Sequence, residues 1–150
     1  MQKSRGFTLI ELSVVLSIIG ILATVAVPSF IKQIQQDRIV TTANQLISVY
    51  KYARSEAAKR EVNLKLVTAG TKWQVVSSES GSDEVLREFV SNYSNIEINL
   101  QDREVKATGE VSAAATILVK DGISDTKDYY LCILKSGQSW LADVSLNGCA

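Results

Sequence analysis

Glu11 is the one ionisable side chain in a run of apolar, small or weakly polar residues extending from Phe7 to Ile31. A carboxylate inside a segment built for lipid costs roughly 2.5–3.5 kcal/mol even on a lenient insertion scale, so it needs a partner. Other chemistry is sparse. The chain has no His, which removes imidazole acid–base catalysis, Ser–His or Cys–His nucleophiles and His-ligated metals. No cluster of metal ligands, Gly-rich phosphate loop or nucleophile–base pair stands out, so no catalytic residue, metal or cofactor is expected. Trp73, Phe89, Tyr129, Tyr130 and Trp140 invite a base-stacking or sugar-binding reading, but in a small domain packing is their expected role. The only cysteines, Cys132 and Cys149, lie near the C-terminus. Sixteen Lys and Arg balance 16 Asp and Glu, which gives no general reason to expect a nucleic-acid or acidic-lipid partner.

The element that positions Glu11 is a helix over residues 7–31. About 25 residues rise roughly 37 Å as a helix, enough for a hydrocarbon core of about 30 Å. Lys3 and Arg5 precede it with no acid between them, which places the N-terminus in the cytoplasm and the rest of the chain outside. An ordinary signal peptide cut after Thr24-Val25-Ala26 is an alternative, although the apolar run is long for one and carries a carboxylate. A plain membrane anchor is another, and it leaves Glu11 unexplained.

The stretch Gly6-Phe7-Thr8-Leu9-Ile10-Glu11 behind a short basic leader resembles the N-terminus of type IV pilins and type II secretion pseudopilins. That resemblance implies cleavage between Gly6 and Phe7 by a prepilin peptidase, N-methylation of Phe7, and delivery to an inner-membrane assembly platform. It also implies a use for Glu11. The cationic amine of Phe7 on one subunit would meet the Glu11 carboxylate of its neighbour, two costly groups partly offsetting each other and fixing register. Gly20 and Pro28, the only proline, match positions where pilin helices loosen during filament packing; an ordinary kinked membrane helix would look the same.

Beyond Ile31 the helical period persists. Ile34, Ile39, Ala43, Leu46, Tyr50, Ala53 and Ala57 form one apolar stripe, so a single helix is expected from Phe7 to about Glu61. Within it Tyr52, Ala53, Arg54, Ser55, Glu56, Ala57, Lys59 and Arg60 resemble the GspH/FimT/FimU group of minor pilins and pseudopilins. A solvated helix end with basic residues in its last turn accounts for the same cations.

After Glu61 the period becomes two. Strands are expected over residues 62–66, 72–76, 87–90, 96–100, 116–119, 129–134 and 140–144, with 104–107 pairing one of them. Residues 79–84 read as a loop, and Ser136-Gly137-Gln138 as a hairpin turn. The resulting fold is α+β, with one long helix covering a mainly antiparallel sheet, and the resemblance implies that this is the type IV pilin fold. Its parts are a leader (1–6), a transmembrane or filament-core helix (7–31), an amphipathic helix (32–61) and a headpiece (62–150). In an oxidising extracytoplasmic compartment Cys132 and Cys149 are expected to pair, worth about 3 kcal/mol by loop closure; buried reduced thiols are the alternative.

The resemblance implies a structural subunit, not an enzyme, with other pilins as partners. It would reside in the inner membrane with a periplasmic headpiece, then in an extracellular pilus or periplasmic pseudopilus. A minor pilin that initiates assembly or forms the tip is the expected role. A major pilin, a secretion pseudopilin and a DNA-receptor pilin are the alternatives. The last is disfavoured because nothing basic follows Lys135, and phosphate binding draws on clustered cations.

Overall fold

The computed structural model describes residues 6–79, 81–146 and 148–149. The leader cations Lys3 and Arg5, and Ser80 of the expected loop, lie outside the described residues. A single helix, α1 (Leu9–Arg60), accounts for 52 residues. The chain divides into two compact units, one through Gln35 and one from Gln36.

In the first unit every described side chain through Ile34 is exposed. This part of α1 is long and apolar enough to cross a membrane by length and composition. Its hydroxyls turn inward to the backbone: Ser13 donates to the Ile10 carbonyl (2.9 Å), Ser17 to Ser13 (2.8 Å) and Thr24 to Ile21 (2.7 Å). Self-satisfied polar groups of this kind are what a lipid environment demands.

In the second unit α1 buries Ile39, Ala43, Leu46, Tyr50, Ala53 and Ala57 completely. Their spacing alternates between four and three, the signature of one helix face against a core. Ile34, expected on that stripe, is instead 47% exposed and belongs to the first unit. The helix stops without glycine. Glu61 takes φ of 57°, and Val62 N–H donates to the Ala57 carbonyl at 3.2 Å, closing the last turn as a left-handed cap does.

The strands are β1 (Leu64–Ala69), β2 (Lys72–Ser77), β3 (Glu84–Val90), β4 (Glu97–Ile98), β5 (Arg103–Val105), β6 (Ala115–Lys120), β7 (Tyr129–Ile133) and β8 (Ser139–Asp143). They form two antiparallel four-stranded sheets, ordered β3-β2-β1-β5 and β4-β6-β7-β8, where one sheet was expected. Alternation located the strands, but pairing set their limits. β3 begins at Glu84, inside the expected loop, because Glu84 pairs with Ser77. Of the expected 96–100 strand, Glu97 and Ile98 pair in register with β6, and Asn99 N–H extends the contact to the Leu118 carbonyl at 3.3 Å. A bulge between Val75 and Val76 lets both consecutive valines be buried, which a strict period of two forbids.

Val111 connects the sheets. It bridges Val105 of β5 and donates its N–H to the carbonyl of Lys135, just past β7, at 3.1 Å. Trp73 and Phe89 are packed in the core, with the Trp73 indole donating to the Gln101 carbonyl at 3.1 Å. Trp140, expected to pack in the core or on a sheet face, lies in β8 opposite Cys132 and keeps 37% of its surface exposed.

Candidate functional site

At the start of α1, Phe7 is 89% exposed and Thr8 occupies the capping position. The Glu11 carboxylate accepts from the Thr8 N–H (2.9 Å) and the Thr8 hydroxyl (3.0 Å), and Glu11 N–H points back to that hydroxyl at 3.3 Å. This reciprocal arrangement is a capping box, and it satisfies donors that a helix start otherwise leaves open. Glu11 therefore has an intramolecular partner in the single subunit. The signal was present in Thr8-Leu9-Ile10-Glu11, a Thr three residues before a Glu at the head of an apolar run, and reading Glu11 for assembly alone passed over it. α1 continues unbroken through Gly20 and Pro28. Nothing lies within 4 Å of a side chain built at Gly20, and Pro28 has no N–H to give the Thr24 carbonyl.

The second site lies on the headpiece, where α1 meets two turns. The buried Tyr50 hydroxyl donates to the Gly137 carbonyl at 2.9 Å, and Arg54 Nε donates to the Gly109 carbonyl at 3.1 Å. Tyr50 and Arg54 are one helical turn apart, so one face of α1 grips the β7–β8 turn and the turn following β5. Burial pushes the Tyr50 phenol up, with Arg54 opposing. Gln36 makes a comparable clasp earlier on the helix, accepting from Lys127 N–H (2.7 Å) and donating to the Lys127 carbonyl (3.3 Å). Of the Tyr52–Arg60 motif, Ala53 and Ala57 pack in the core. Arg87 lies 5.1 Å from the Tyr52 ring centroid, Ser55 donates to the Tyr52 carbonyl, and Arg60 pairs with Glu56 at 2.7 Å. That bond to Arg60 is the main cause holding the Glu56 carboxyl below its ordinary range. Lys59 is exposed.

Cys132 of β7 and Cys149 form a disulfide with Cα atoms 5.4 Å apart, tying the chain's end to the centre of the second sheet. Sequence reasoning missed the approach of Gly137 to Gly109. A side chain added at Gly137 would overlap the Gly109 carbonyl and sit 2.9 Å from Arg54 Nε. No local pattern announces that contact.

Residues 42–149 match the family model for the type II transport protein GspH, and residues 1–27 match the prokaryotic N-terminal methylation motif. The chain belongs to the GspH family of pilins and pseudopilins. The major pilin of Myxococcus xanthus is 39% identical over 59 residues, covering 39% of this pilin-like chain and 27% of that protein. The narrow type IV pilus major component of Thermus thermophilus is 43% identical over 59 residues, 37% of this chain and 51% of that protein. The chain thus spans about a quarter and a half of the length of these two relatives. The crystal structure of the Pseudomonas aeruginosa minor pilin FimU superposes with a TM-score of 0.62 at 19% identity, covering 77% of this chain and 98% of that one. Pilins of this family are structural, non-enzymatic proteins, and their fold of one long helix on antiparallel sheets is the fold found here.

Proposed function

We propose that this chain is a minor pilin of a type IV pilus, which helps initiate assembly or forms the tip. The observation that carries this reading is the likeness of the fold to the minor pilin FimU, within the GspH family that the headpiece matches over residues 42–149. Prepilin peptidase cuts between Gly6 and Phe7, and Phe7 is then N-methylated. The subunit waits in the inner membrane with residues 7–31 spanning it, its N-terminus cytoplasmic and residues 62–150 periplasmic, until the assembly platform extracts it. In the filament Glu11 exchanges its Thr8 partners for the Phe7 amine of a neighbour, and the 20–28 segment loosens because Gly20 and Pro28 weaken the helix there. The contact then sets axial position more than it adds stability.

A major pilin is the second reading, favoured by the relatives that are major pilus components. Mass spectrometry of sheared surface filaments separates the two. An N-methylated peptide beginning at Phe7, at trace level beside another dominant pilin, is the expected result. The same peptide as the dominant species assigns the major role. A mature chain beginning near Val27 overturns both.

A further inference from the structure

Alongside the Tyr50–Arg54 grip, the headpiece carries an open groove of about 710 Å³. Its walls include Lys51, Arg54, Thr108, Gln138, Ser139 and the exposed Trp140. We propose that this groove binds an acidic saccharide, with Trp140 as the platform for a sugar ring and Lys51 and Arg54 as the counter-charges.

Four features of the groove lead to that ligand class. The volume falls within the range of small-ligand sites, so a few sugar units fit. Neither Lys51 nor Arg54 enters an ion pair among the described residues, and Arg54 commits its Nε to Gly109, which fixes the guanidinium and leaves its outer nitrogens for an anion. Trp140, on the edge strand β8, keeps 37% of its surface exposed, whereas Trp73 and Phe89 are buried. An exposed indole offers an apolar face to a ring's C–H groups together with a polar N–H. Thr108, Gln138 and Ser139 add hydroxyl and amide groups suited to the many hydroxyls of a sugar.

A single-stranded nucleic acid is the competing ligand. It calls for a track of cations along the backbone and successive stacking platforms, whereas this wall supplies two cations and one aromatic. The hollow between the β1–β2 turn and the β3–β4 loop is a weaker candidate, since the Tyr93 ring there already faces Arg38 at 5.3 Å.

The test uses the full chain in detergent micelles. Trp140 and the buried Trp73 are the only tryptophans, so acrylamide quenching of intrinsic fluorescence reports largely on Trp140. Short oligogalacturonates are expected to shield it saturably, more weakly as salt rises, and Lys51→Glu to weaken binding about tenfold, the equivalent of one modest ion pair. Equilibrium dialysis with Trp140→Ala is expected to show a comparable loss, and it reads binding without the fluorophore. Failure to shield Trp140, equal binding of a neutral glucan oligosaccharide, or insensitivity to both substitutions overturns the proposal. Tighter binding of oligothymidylate than of oligogalacturonate replaces it with a nucleic-acid site.

Discussion

Gly137 is held at φ of 83° with its Cα turned toward the Gly109 carbonyl, so two constraints meet at one residue. A side chain there suffers the left-handed backbone penalty, about 1–2 kcal/mol, and an overlap with backbone that has no rotamer to yield. Gly137→Ala is expected to destabilise the headpiece by about 3 kcal/mol in denaturant titration, whereas alanine at Gly70, where nothing lies within 4 Å, meets the backbone penalty alone. Asp128 shows the opposite fault, a polar group with too little company. One carboxylate oxygen is buried without a hydrogen-bond partner, and burial raises its pKa, opposed chiefly by a hydrogen bond from the Asp121 backbone. The folded state therefore holds this proton more tightly than the unfolded chain. Stability on this account falls as pH climbs from the ordinary aspartate range through the folded value, and the whole penalty is present above it. Asp128→Asn is expected to be more stable than the parent at neutral pH, the gap closing as pH drops below the ordinary aspartate range in parallel thermal melts. Glu88 and Asp143 carry the opposite sign. Hydrogen bonds from Gln74 and Ser145 respectively are the main causes lowering them, so their stabilisation is present above the ordinary carboxylate range and lost as pH falls through the folded values.

For α1 the Thr8–Glu11 box separates capping from assembly. Thr8→Ala removes the cap, worth about 1 kcal/mol, and is expected to speed amide exchange in the first turn while filament incorporation persists. Glu11→Gln keeps an acceptor for Thr8 and discards the charge; it is expected to leave the exchange rates near those of the parent and abolish incorporation, as counted by mass spectrometry of filaments. The helix was legible from sequence because its period holds from the membrane segment through Ala57, and its interior stripe is right from Ile39 onward. Its limit at Arg60 was nearly right for a different reason, since a left-handed Glu61 ends it where no glycine marks a stop. Strand positions were legible from alternation, but the division into two sheets was not. That division turns on which strands share an edge, and the link through Val111 depends on Val105 and Lys135, which are distant in sequence.

The headpiece as a whole is closed by its covalent bond. Cys132 lies in β7, paired on both sides by β6 and β8, so reducing the disulfide frees the C-terminal end while the sheet retains its ladder. Cys149→Ser is expected to cost about 3 kcal/mol and to lower the melting temperature without eliminating cooperative unfolding, provided Cys132 is replaced as well to prevent mispairing. The clasps of α1 have a mechanical consequence. Gln36 holds Lys127, Tyr50 holds Gly137 and Arg54 holds Gly109, all from one rod onto two places on the headpiece, since Gly137 and Gly109 abut. A pull along that rod loads the three attachments together in shear. They cannot be opened one after another, as the rungs of a hairpin can when it is peeled from its end. Resistance to force is governed by the unfolding rate, and a subunit anchored this way keeps its headpiece folded under tension that would strip a singly attached one.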